Sequence, residues 1–321
     1  MNKMLLEKIS DLNHITMINM DEINRINEII TKINNDATVI VGPKCGSIEK
    51  RDNKLRIYSH GGNIMNLATT PKAKNKIFPD KKYEERSQKL NKELKTASVN
   101  YNEIKEDTIK KAIEVACYKK GENNDDSEAQ ERAIETKIIK INRAKQNSKS
   151  IIIDMEFCSP TAWLTTQYPP KTNENSTRGR VDLVVYDKEY KSFGIIELKS
   201  NNKSCDNLEK HFSDYYIIAN SKFSRDIKLE FCRKIKYLMH YKFIEKISDI
   251  DLEKAIEQPI WKAFLFIDGN SSQSKKLFDE AKIDKEIIDR KKFGFQYSKT
   301  PEEVDLSKSK FFEYLCQNQS V

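Results

Sequence analysis

The chain has 321 residues, 38% hydrophobic and 33% charged, with a formal net charge of +8 at pH 7 and a mean hydropathy of −0.72. That profile fits a water-facing protein with one large core and appendages, or with two domains. No apolar run approaches the roughly 20 residues of a membrane span, and the mixed-charge N-terminus lacks the apolar stretch of a secretory leader. The six cysteines (Cys45, Cys117, Cys158, Cys205, Cys232, Cys316) contain no CxxC pair, which argues against a zinc module or disulfide scaffold and for free thiols in the cytoplasm. The positive balance suits a polyanion, but 57 Lys and Arg spread along the chain favour nucleic acid only weakly.

Residues 1–36 read as a helix of mixed charge. Two β runs follow, 37–42 (ATVIVG) and 54–59 (KLRIYS), then a flexible HGGN at 60–63. From Pro71 to about Asn102, Lys, Glu and Asn dominate, so an exposed helix and a linker both fit. Ile104, Ile109, Ile113 and Ala116 give a helical stripe over 103–120. GENNDD at 121–126 breaks the chain, and Ser127 is placed to N-cap a helix over about 128–145. The expected division is an N-terminal helical and small-β region over 1–126, regulatory or substrate-recognising, and a main domain over 127–321.

Within the main domain the period changes to two. Residues 150–158 (SIIIDMEFC), 180–186 (RVDLVVY) and 193–200 (FGIIELKS) read as an antiparallel meander. A helix follows at about 205–219, then a basic helix at 225–244 with Ile227, Phe231, Ile235 and Leu238 on its apolar stripe. A buried strand is expected at 262–269 (KAFLFIDG), a helix at 272–291 and a short strand at 293–297. The class is α/β, a mixed sheet flanked by helices.

The hairpin GRVDLVVYDKEYKSFGIIELK at 179–199 carries the chemistry. With its loop at 187–192, Tyr186 pairs with Phe193, Val185 with Gly194, and Asp182 comes opposite Glu197. Alternation puts Asp182, Val184 and Tyr186 on one face with Ile195, Glu197 and Lys199. Opposed carboxylates destabilise a sheet, so the pair asks for a compensating cation. Mg²⁺, or Mn²⁺ in its place, fits oxygen ligands from Asp182, Glu197 and the Leu198 carbonyl. Lys199 on the same face can orient or deprotonate a water, or stabilise charge on a phosphate.

Val181-Asp182 followed by Glu197-Leu198-Lys199 resembles the PD-(D/E)XK nuclease superfamily, the restriction-endonuclease-like fold. Residues 127–219 cover its αβββαβ core and 262–269 its later strand; Val181 stands where the family name has proline. The resemblance implies a Mg²⁺-dependent nuclease, an endonuclease acting on DNA in preference to RNA, in a setting such as bacterial or phage defence. It leaves open a catalytically inactive nucleic-acid-binding module, or an effector that forms a homodimer or is governed by a protein partner through 1–126. It also implies a third carboxylate from the helix before the first strand. Among Glu128, Glu131 and Glu135, Glu131 lies nearest the stripe of Ile134, Ile138 and Ile141. The family commonly places a polar or basic residue on the helix after the third strand, which points to His211, flanked by Asn207 and Lys210.

Arg178 and Arg180 precede the Asp182 strand closely enough to grip a phosphate, and Lys210 is a further candidate. On the basic helix, Lys228, Arg233, Lys236 and His240 lie opposite the apolar stripe, with Tyr237 and Tyr241 as aromatic surface. Asp154 and Glu156 share a face of the first strand. A half-exposed strand accounts for them, and they stay outside the expected site.

Overall fold

The structure is a computed structural model. It describes residues 37–42, 54–59, 62–68, 75–77, 97–99, 103–117, 127–145, 148–158, 180–200, 208–221, 223–240, 243–268, 275–276, 278–279 and 292–313. The helix expected over 1–36 and Arg178 lie outside these residues, as does most of the helix expected over 272–291. Among the described residues no helix is long and apolar enough to cross a membrane.

Five strands, β1 (Ala37–Gly42), β2 (Lys54–Ser59), β3 (Gly62–Ala68), β4 (Asn75–Ile77) and β5 (Ala97–Val99), form a sheet in chain order. All its pairings are antiparallel. Ser59 pairs with Gly62, so part of HGGN belongs to a strand. Two pieces of the supposed helix or linker at 71–102 are strands β4 and β5. Three residues each are too short to display a period. Helix α1 (Glu106–Cys117) follows, and its buried Ile109, Ala112 and Val115 share a core with Met65 of β3.

The second sheet has the order β10-β9-β8-β7-β6. Its chain order is α2 (Ser127–Ala144), β6 (Ser150–Cys158), β7 (Arg180–Asp187), β8 (Ser192–Lys199), α3 (Leu208–Asn220), α4 (Ser224–His240), α5 (Asp249–Glu257), β9 (Trp261–Ile267), β10 (Phe293–Ser298) and a short α6 (Lys308–Phe311). β6, β7 and β8 form the expected antiparallel meander, and β8–β9 and β9–β10 are parallel. The architecture is α/β, a mixed five-stranded sheet flanked by helices. One face buries Val184, Tyr186, Ile195, Phe264 and Phe266 under Phe212 and Tyr215 of α3, Phe231 and Ile235 of α4 and Leu252 of α5. The other buries Leu183, Val185, Ile196, Leu198 and Leu265 against Ile138 and Ile139 of α2 and Phe311 of α6.

Local chemistry fixes these elements. Asp187 closes the β7–β8 turn by accepting from the backbone N–H groups of Glu189 and Tyr190, both at 2.9 Å, an Asx turn that starts the strands in register. Gly194 stands opposite Trp261, and a Cβ there would lie 2.2 Å from the indole, so only glycine lets the ring pack flat on β8. Asn142 ties α2 to β6, donating to the Ser150 carbonyl at 2.8 Å and accepting from Ile152 N–H at 2.9 Å.

Two expectations are corrected. The inward face of α2 is Glu135, Thr136, Ile138, Ile139 and Asn142, all buried, whereas Ile134 and Ile141 are only half-buried. Counting apolar residues alone rotates the stripe, because three of the buried positions, Glu135, Thr136 and Asn142, are polar. Helix α5 was not anticipated, although Ser248 caps it by accepting from Asp251 N–H.

Candidate active site at the split of strands β7 and β8

The β7–β8 ladder pairs Asp187 with Ser192 through Leu183 with Ile196, so the expected register holds and puts Asp182 opposite Glu197. Side chains take over where the ladder ends. Leu198 N–H donates to Asp182 Oδ2 at 2.7 Å, and Asp182 N–H donates to the Tyr215 hydroxyl at 3.2 Å. Both backbone donors would otherwise lack an acceptor at the split. β8 stays paired to β9 as far as Lys199 opposite Phe266, which anchors the strand carrying the candidate residues.

Glu197 and Lys199 are 2% and 3% exposed. Glu197 Oε1 accepts from Lys199 Nζ at 2.5 Å and faces His211 Nδ1 at 3.0 Å; Oε2 accepts from the Tyr215 hydroxyl. Burial is the largest single influence on the Glu197 carboxyl and raises its pKa. Lys199 and His211, with hydrogen bonds from Lys199 and Tyr215, outweigh it and hold the group below its ordinary value. The Tyr215 phenol is pushed well above its ordinary value by burial, then by the charges of Glu197 and Asp182, so it stays a neutral donor.

The structure therefore brings Asp182, Glu197, Lys199 and His211 together. The compensation that the opposed acids require comes from within the chain: Lys199, His211 and Tyr215 serve Glu197, while Asp182 is satisfied by a backbone donor. Tyr215 was missed as a site residue. It stands four residues after His211, one helical turn along the same face. Glu131 and Glu128 lie in α2 and Lys210 in α3, and Arg180 opens β7, but the side chains of all four lie outside the described residues. Of the three helix glutamates, Glu135 is the one whose side chain is described, and it is buried at 1% exposure.

The first strand is not half-exposed. Asp154 is 1% exposed and pairs with the equally buried Lys234 of α4 at 2.5 Å. A bulge at Ile152/Asp154 re-phases β6, and the flanking pairs Met155–Leu183 and Phe157–Val181 place Glu156 opposite Asp182. Glu156, Asp182 and Glu197 thus occupy one row across three strands; the Glu156 side chain lies outside the described residues.

The basic face of α4 is largely spoken for. Lys228 is buried and donates to the Gln258 carbonyl at 3.0 Å. Lys236 pairs with Asp249 and Arg233 with Glu230. α5 and the turn after it supply the partners of Lys228 and Lys236, so a phosphate would have to compete with an existing partner at each.

Among the described residues no group of three or more His, Cys, Asp or Glu side chains is gathered for a metal. The oxygen set at the split is two carboxylates and the Leu198 carbonyl. Its chemistry fits a hard divalent cation that keeps several waters. No protein-family model matches the chain, and neither does any curated protein or solved structure.

Proposed function

We propose that the chain is a divalent-metal-dependent nuclease with a restriction-endonuclease-like αβββαβ core of the PD-(D/E)XK kind, hydrolysing phosphodiester bonds of nucleic acid, with DNA preferred over RNA. One observation carries this: Glu197 and Lys199, both almost fully buried, share a face beside Asp182 where two paired strands part. The order α2-β6-β7-β8-α3 with a later parallel β9 supports the fold reading, as does the basic balance of the chain.

Asp182, Glu197 and the Leu198 carbonyl would hold Mg²⁺ or Mn²⁺, which supplies Lewis-acid polarisation of a phosphoryl oxygen and acidifies water. Lys199 is poorly suited to bind a metal but has three N–H donors. Held at Glu197, it is placed to orient a water or to stabilise charge on a phosphate oxygen. His211, with 30% of its side chain exposed, opens the buried Glu197–Lys199 pair toward solvent and can hold or move a proton. Tyr215 positions Glu197 and, through Asp182 N–H, the neighbouring strand.

The test is incubation of the full chain with plasmid, linear and single-stranded DNA and with RNA, in Mg²⁺, Mn²⁺ or EDTA. Cleavage in metal, absent in EDTA and lost in Asp182→Asn and Glu197→Gln, is expected; full cleavage in EDTA or in both variants overturns the proposal. A second reading draws on Glu197 having both oxygens engaged by the chain's own donors: a nucleic-acid-binding module of the same fold without catalysis. It predicts EDTA-insensitive binding and no cleavage in either metal.

A further inference from the structure

Lys262 is a largely buried lysine with no anionic partner among the described residues. It lies in β9 opposite Ile195 of β8 and Phe293 of β10 and is 7% exposed. Its ammonium sits 5.6 Å from the Tyr216 ring centre and 5.5 Å from that of Phe293. Among the described residues these two rings are its side-chain partners. The other charge that acts on it is Lys292, a like charge. Three N–H donors are thus held against aromatic faces with no carboxylate or carbonyl to receive them among the described residues. The contrast with Lys199, Lys234 and Lys228 is sharp, since each of those has an oxygen partner. Lys292 adds a second observation: its backbone is left-handed, φ 50°, a conformation lysine adopts at a cost and one that recurs at ligand sites.

We propose that Lys262 and Lys292 form a receptor for a backbone phosphate of a single-stranded polynucleotide, with the Tyr216 ring beside them as a stacking face for a base. This rests on the nucleic-acid reading above and adds a contact outside the Glu197 cluster. Helix α3 serves both places: His211 and Tyr215 face Glu197, while Tyr216, 40% exposed, lies over Lys262. A strand held at Lys262 therefore lies across α3 from the split of β7 and β8. Phosphate supplies the acceptors the ammonium lacks, and an exposed tyrosine at its side is the pairing of charge and ring that single-strand binders use.

The test is binding of a fluorescent oligothymidylate to the full chain in EDTA, where metal-dependent turnover is absent, across a salt series. Lys262→Met keeps the length and apolar stem of the side chain; its thermal unfolding confirms that it folds. Affinity is expected to fall roughly 10-fold or more, the scale for losing a charged hydrogen bond, and the salt slope to drop by about 0.7, one phosphate contact on a single strand. Lys262→Arg should restore most of both. On the unaltered chain, the oligonucleotide should slow amine-directed acylation of Lys262, read by mass spectrometry. Unchanged affinity and slope in Lys262→Met overturn the proposal, and so does protection by millimolar inorganic phosphate equal to that by the oligonucleotide, which would assign the site to a free anion. Absence of cleavage with Lys262-dependent binding intact would count against the nuclease alone.

Discussion

Replacing Lys199 by methionine separates the chemistry of the Glu197 cluster from its contribution to folding. Lys199 and Glu197 are 3% and 2% exposed and joined at 2.5 Å, so the variant leaves a buried carboxylate short of its nearest cation. Removing one member of a buried pair costs about 3–5 kcal/mol. His211 Nδ1 at 3.0 Å and the Tyr215 hydroxyl remain on Glu197, which puts the expected cost near the lower end, about 3 kcal/mol. For a chain of this size that corresponds to a Tm fall of about 4–5 °C. A divalent cation held by the same carboxylate would replace the missing charge, so Mg²⁺ should raise the Tm of the variant more than that of the unaltered chain. Saturation at 100 times Kd stabilises by about 2.7 kcal/mol. Cleavage, measured under single turnover below the Tm of both proteins, should fall by roughly 10²-fold or more, the scale for losing a positioned acid–base or electrostatic group. Calorimetric unfolding with and without Mg²⁺, beside the cleavage assay, reads all three effects. A variant that melts with the unaltered chain, gains nothing extra from Mg²⁺ and cuts at the full rate would refute both the pairing and the role.

Three further outcomes follow from the same physics. The Glu197 carboxyl is held below its ordinary value because Lys199, His211 and Tyr215 together outweigh the cost of burial; its stabilisation is therefore present above the unfolded carboxyl value of about 4.3 and is lost as pH falls through its own lower value. Glu197→Gln should be less stable at neutral pH and lose less stability on acidification, as urea unfolding between pH 3 and 7 will show; a parallel acid limb in the two proteins would contradict this. Gly194→Ala forces a Cβ to within 2.2 Å of the Trp261 ring and should cost about 1–3 kcal/mol in urea unfolding, the usual scale of overpacking, with Trp261→Leu relieving most of it; an additive double variant would place the strain elsewhere. Burial, with Lys292 adding to it, lowers the Lys262 amine from 10.5 to about 8, equivalent to about 3 kcal/mol at 1.36 kcal/mol per pH unit. The unfolded chain holds the proton that the folded chain gives up, so stability should rise between about pH 8 and 10.5, and Lys262→Met should be more stable at pH 7 and lack that rise.

The register of the hairpin was legible because two β-branched and apolar runs, RVDLVVY and FGIIELK, flank a single six-residue interval, DKEYKS. Asp182 opposite Glu197 follows from counting. Counting does not reveal that the ladder stops one pair earlier, since that depends on Tyr215 arriving from α3 with a hydroxyl. Asp154 was hidden for a different reason. A bulge is invisible to a period-two reading, and the partner that permits burial, Lys234, is 80 residues away in sequence and reads there as one more charge on a basic helix. The basic face of α4 misled in the same way, because the partners of Lys228 and Lys236 come from the short α5 and the turn after it. In each case the apolar pattern gave the element, while the polar side chains found partners that no local window contains.

That distinction bears on how the candidate site is built. At the split, the backbone N–H groups of Asp182 and Leu198 leave the ladder, and each is received by a side chain of the site: the Tyr215 hydroxyl at 3.2 Å and the Asp182 carboxylate at 2.7 Å. Asp182, which would hold a metal, is therefore also one of the two groups that close the sheet. Parting the strands opens room for a ligand between Asp182 and Glu197, and the bonds that satisfy the parted backbone also fix where the carboxylates stand. Removing Asp182 then does more than relieve repulsion between opposed acids, since it leaves the Leu198 N–H without its acceptor. A loss of activity in any of these variants has meaning only beside a measured stability, because the sheet and the site draw on one set of hydrogen bonds.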